Sequence, residues 1–186
     1  MSLQTSLLSL AAPALRLHES YAHQLVHDLD EQQMDVCPGP GHENTPRFTL
    51  GHLCTGTAVF AKSLEEKVGI VAPHAWQLPV GYGDMFQRRG PRDRRLPERF
   101  DCVPTKEELL LQYCASHERM LDALSQATDA DLEREAAWAL SHHMPRQADM
   151  VQFYLLHEMM HLSQLAAWRR AMGLPAAMAR MVELRI

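Results

Sequence analysis

Several absences narrow what this chain can be. None of its four cysteines, Cys37, Cys54, Cys102 and Cys114, falls in a C-x-x-C pair, which argues for reduced thiols over a disulfide framework or a cysteine-rich zinc module. No apolar run reaches the roughly 20 residues that a membrane-spanning helix needs, so no membrane partner is expected. No segment alternates with period two, so little or no β-sheet is expected. No repeat of fixed period and no low-complexity tract occurs. The hydrophobic stretch LLSLAAPAL has no Lys or Arg before it and runs on into helix-like sequence, so it is read as structure and not as a signal segment. Positive charge is in short supply as well. The formal charge of −5 argues against a general binder of nucleic-acid phosphates. Together these point to a cytoplasmic protein.

What is present fits one domain over residues 1–186, with 46% hydrophobic and 22% charged residues, as in an ordinary soluble globular chain able to bury a core. Four long segments carry the apolar period of helices. The first is expected over 14–34, after Pro13, with Leu15, Ala22, Leu25, Val26 and Leu29 on one face; the C-P-G-P-G run at 37–41 ends it. The second spans about 49–68 and stops at Gly69. The third opens on Thr105 and Glu108, a capping-box pattern, and carries Leu110, Tyr113, Cys114, His117, Leu121 and Leu124 on one face. The fourth covers about 147–172, before Gly173 and Pro175. Between the second and third lies a long connection, 70–103, rich in Pro, Gly and Arg, part of which is expected to pack across the bundle. The fold class is therefore all-α, a four-helix bundle with a long crossover loop between helices 2 and 3. Such bundles commonly build metal sites between facing helices.

Eleven histidines are the unusual feature. His157 and His161 stand four apart, which puts both rings on one helical face, where two nitrogens can converge on one cation. Zinc takes at least three protein ligands, so a third must come from another helix. His52 points inward near the start of the second helix; His18 and His117 also fall on inward faces and are rivals or outer partners. Gln164, one turn beyond His161, is a further outer candidate. His23 and His27 share the same spacing but lie off the core stripe and read as solvated. His42, His74, His142 and His143 sit in loops.

Residues 157–161, H-E-M-M-H, also match the H-E-x-x-H zinc-protease pattern, with Glu158 as general base. No metzincin continuation follows, a downstream glutamate ligand would have to be Glu183 near the chain end, no sheet is expected, and Glu158 lies a quarter turn off the histidine face. The protease is the weakest reading. The fourth helix is apolar on its opposite face too, at Leu155, Met159, Leu162 and Ala166, which points to burial on both sides or to a homodimer contact.

Two motifs carry a family likeness. N-T-P-R-F-T-L-G-H-L, ending at Leu53, resembles the second-helix signature of the DinB/YfiT-like superfamily. The run from His157 to Pro175 resembles its fourth-helix signature, H-E-x-x-H-x-G-Q-L with a basic Gly-Leu-Pro end; Ser163 stands where many relatives have glycine. The resemblance implies an up-down-down-up bundle, often dimeric, with a divalent metal, zinc or nickel, on three histidines that fall by position at His52, His157 and His161. It also implies chemistry with low-molecular-weight thiols, as in thiol-dependent S-transferases and isomerases. Arg88, Arg89, Arg92, Arg94 and Arg95 could then meet an anionic thiol. The expected function is a metal-dependent thiol S-transferase or hydrolase acting on a small molecule. The alternatives are a non-catalytic metal- or small-molecule-binding stress protein and a purely structural bundle.

Overall fold

In a computed structural model of the chain, which describes residues 2–42, 44–69, 75–87 and 102–185, the long helices start where a side chain caps them. Ser2 accepts the Thr5 amide at the head of α1 (Leu3–Val26), and Thr45 accepts the Phe48 amide ahead of α2 (Pro46–Val68), with proline at its first position. A one-turn helix follows, α3 (Tyr82–Phe86). Thr105 and Glu108 form the expected reciprocal box at α4 (Lys106–Gln126), and Thr128 and Asp131 repeat it at the short α5 (Asp129–Glu133). At α6 (Gln147–Ala171) the Asp149 carboxylate accepts the Arg146 backbone amide, and α7 (Ala177–Leu184) completes the series. Each cap satisfies amides that a helix leaves without an internal partner. No strand occurs among the described residues.

Cross-helix bonds fix the topology. Gln4 near the start of α1 reaches the Ser125 carbonyl at the end of α4, and Lys106 at the start of α4 reaches the Leu29 carbonyl, so these two run antiparallel. Cys54 meets the Leu109 carbonyl and Glu65 meets Arg119, so α2 and α4 are parallel. His18 pairs with Glu158 and Arg169 reaches the Leu25 carbonyl, so α1 and α6 are parallel. The order is up, down, down, up. Both α1 and α2 pack on α4 and on α6. Only the link between the parallel α2 and α4 must travel the length of the bundle, and α3 sits in it.

The core is divided. One apolar cluster gathers Leu25, Met34, Leu50, Leu53, Tyr113, Leu162 and Trp168; a second gathers Leu15, Ala61, Leu64, Met120, Leu124, Val151 and Tyr154. Each long helix contributes a buried polar residue to one hydrogen-bonded group, His18, Thr57 and His117 around Glu158. No helix among the described residues is long and apolar enough to cross a membrane. All four cysteines are free thiols.

The boundaries of α1 differ from the expected 14–34. The helix begins at Leu3 and contains Pro13, because Leu3, Leu7, Leu8 and Ala11 pack on the second cluster and this burial outweighs the amide that proline forfeits. It ends at Val26, where Asp28 turns away to pair with Arg169, and Asp30 and Gln33 each donate a backbone amide to the other's side-chain oxygen. The second helix starts three residues earlier than expected, at Pro46, because Thr45 caps it. Neither α3 nor α7 was expected. The two-sided apolar character of α6 is accounted for within the chain, since α1 covers one side and α2 another, while Leu156 and Met160 remain exposed.

Candidate metal centre

Because α2 and α6 run antiparallel, the second turn of α2 faces the middle of α6. His52, His157 and His161 meet there, each offering a ring nitrogen, and these nitrogens lie within 4.8 Å of one another. The His157 and His161 Nε2 atoms are 3.1 Å apart. The His52 ring centroid lies 4.7 Å from that of His161 and 5.5 Å from that of His157. Phe48 stacks on His52 at 5.6 Å, and Phe153 stands 5.8 Å from His157, so the cluster has apolar shoulders.

Hydrogen bonds behind the rings set their orientation. His52 Nδ1 donates to the Phe86 carbonyl at 3.0 Å, and His161 Nδ1 donates to Gln164 Oε1 at 3.0 Å. The same Gln164 oxygen accepts from Asn44 Nδ2 at 3.2 Å. Both acceptors lack a proton, so in each neutral ring the lone pair sits on Nε2. Metal-ligating histidines are commonly held this way. Burial, and then the nearby His52, push the His157 pKa down, which favours its neutral, metal-binding form. His157 Nδ1 is buried and has no hydrogen-bond partner among the described residues.

The donor set fits a divalent cation. Two nitrogens each about 2.0–2.1 Å from one tetrahedral ion lie roughly 3.3 Å apart, close to the 3.1 Å between His157 and His161. Three neutral imidazoles leave coordination positions for water or substrate and suit zinc and nickel alike.

The other inward histidines do different work. His18 Nδ1 and His117 Nε2 each donate to Glu158 at 2.8 Å, and His117 Nδ1 donates to Glu19 at 2.8 Å. The Tyr154 hydroxyl donates to Glu158, and Thr57 approaches it at 3.4 Å. With a carboxylate on each nitrogen, His117 is an imidazolium: burial opposes its charge, but Glu158 and Glu19 overcome that and raise the pKa to about 9. Burial likewise opposes ionisation of Glu158, yet His117 and His18 hold its pKa at about 2. The hydrogen bonds of His117, one of the inward-facing histidines, go to Glu19 and Glu158. Glu158 itself is fully buried, its oxygens already occupied by these donors, and so is not placed as the base of a zinc protease.

His23, His27, His142 and His143 are exposed, as their positions suggested, and His42 lies in a loop. His74 and the arginines at 88, 89, 92, 94 and 95 lie outside the described residues. Sequence reasoning missed Asn44 and the Phe86 carbonyl, for which no local pattern exists. Tyr154, four residues before Glu158, shares that residue's face and reaches its carboxylate.

A helical bundle with three histidines gathered between antiparallel helices defines a class of protein able to hold a divalent cation. The model of the DinB superfamily matches residues 14–165, and the chain belongs to that superfamily. Comparisons with curated proteins and with solved structures give no match to it.

Proposed function

We propose that the chain is a metal-dependent enzyme of the thiol S-transferase or hydrolase kind, with His52, His157 and His161 as the ligands of one divalent cation, zinc or nickel. The observation that carries this reading is the convergence of three ring nitrogens within 4.8 Å, two of the rings oriented from behind by oxygen acceptors. When bound, the cation supplies a +2 charge that stabilises a thiolate or an oxyanion at neutral pH. The chain's own residues hold the geometry: Gln164 and the Phe86 carbonyl keep the Nδ1 protons of His161 and His52 turned away from the cluster. Phe48 and Phe153 flank the rings and limit water around them.

A non-catalytic binding protein would close the remaining coordination positions with side chains such as His18 or His117. Both are committed to Glu158, which favours the enzyme. Elemental analysis of protein purified without a histidine tag, followed by turnover of an electrophile with bacillithiol- or mycothiol-like thiols, tests the proposal. The expected result is one cation per chain and turnover that His161→Ala abolishes. Metal binding without turnover across a broad panel of thiols and esters would leave the binding protein; no bound metal would leave a structural bundle.

A further inference from the structure

We infer that α3 is a positioning element for the cluster: Phe86, seated on Gly51, holds its own carbonyl where it fixes the proton of His52 on Nδ1, so that docking of α3 and binding of the cation are coupled. This rests on reading His52 as a ligand. Gly51 lies inside α2, buried, where glycine is the poorest helix former after proline. A Cβ at this position would overlap the ring carbons of Phe86, so the absent side chain is the seat of that ring. Phe86 is fully buried, and Tyr82 packs against it edge-on at 5.3 Å. The preceding segment is tied to α4, where Trp76 Nε1 donates to Gln112 at 2.7 Å and Arg119 reaches Gln77 at 3.4 Å.

The neighbouring residue on α2 is His52, and its Nδ1 meets the Phe86 carbonyl at 3.0 Å. A main-chain acceptor cannot be deleted by substitution; it can only be moved, and the Gly51–Phe86 contact is what places it. Linkage is reciprocal: if α3 docking favours the cation, the cation favours α3 docking by the same factor.

The test combines zinc titration with nitrogen-15 NMR of the His52 ring in the tag-free chain and in Gly51→Ala. Alanine raises the helix propensity of α2, so the variant tests the seat and not the helix. In the metal-free parent, His52 is expected as the Nδ1–H tautomer. In Gly51→Ala it becomes a tautomer mixture and zinc affinity falls about tenfold, the loss typical of an outer partner. In the parent, zinc also raises amide-exchange protection across 82–87. Phe86→Leu, which keeps the carbonyl but loosens the seat, shows the same changes at smaller size and carries the test should Gly51→Ala not fold. Unchanged tautomer and unchanged zinc affinity in both variants would overturn the coupling alone. A parent that binds no zinc would overturn the ligand reading, and the coupling with it.

Discussion

Two groups of histidines share the bundle, one on α2 and α6 and the other on α1 and α4, and they are built in opposite ways. In one, the Nδ1 of His52 donates to the Phe86 carbonyl and that of His161 to the Gln164 amide oxygen, while His157 Nδ1 has no hydrogen-bond partner among the described residues. In the other, His18 and His117 are clasped by the carboxylates of Glu158 and Glu19. The first arrangement turns the Nδ1 protons of His52 and His161 away from the cluster and leaves their Nε2 atoms facing it. The second makes an imidazolium and satisfies its charge inside the protein. The same residue type is thus free to offer nitrogens to a cation in one place and is committed to carboxylates in the other, and the neighbouring acceptors make the difference.

The comparison breaks most visibly under substitution of the buried group. His117→Ala removes the cation facing a fully buried carboxylate, and should cost about 3–5 kcal/mol of stability, read as a lower urea midpoint in the presence of chelator, with zinc affinity of the folded fraction unchanged. The pH dependence follows the same division. His117 rises from 6.5 to about 9 on folding, so its contribution is complete below 6.5 and is lost as pH climbs through 9. Glu158 falls from 4.5 to about 2, so its contribution is present above 4.5 and is lost as pH drops through 2. Metal-free stability from this layer should therefore be greatest between 4.5 and 6.5. Zinc affinity should instead weaken steadily towards acid across that same range, as protons compete for the three imidazoles. Denaturation curves and zinc titrations at matched pH values separate the two responses.

Smaller effects sharpen the contrast. His52→Ala should lower zinc affinity more than about 100-fold, since even outer partners of a metal site are worth about 10–100-fold, while disturbing metal-free stability far less than His117→Ala because His52 is only half-buried. Gln164→Ala should cost about tenfold in zinc affinity and leave the denaturation midpoint in place, since Gln164 is exposed and acts through His161.

Much of the fold was legible in the sequence because the period of apolar residues and the caps are local. Thr105 with Glu108, Gly69 and Gly173 mark the ends where the structure has them. The start of α1 was not legible, because Pro13 is a local stop signal and the burial that overrides it is tertiary. The pairing of His157 with His161 followed from spacing. The choice of His52 over His18 and His117 did not, since all three face inward; it depends on which helices are antiparallel and at what level they cross. Glu158 was misleading for the same reason: the H-E-x-x-H string is local, whereas the four helices that enclose its carboxylate come from across the chain.

The most direct test is X-ray absorption at the zinc edge of the loaded, tag-free protein. The expected spectrum has three imidazole nitrogens at about 2.0–2.1 Å, reduced to two in His52→Ala. A shell with fewer than three imidazoles in the parent, or one containing sulfur from a cysteine at about 2.3 Å, would contradict the three-histidine centre.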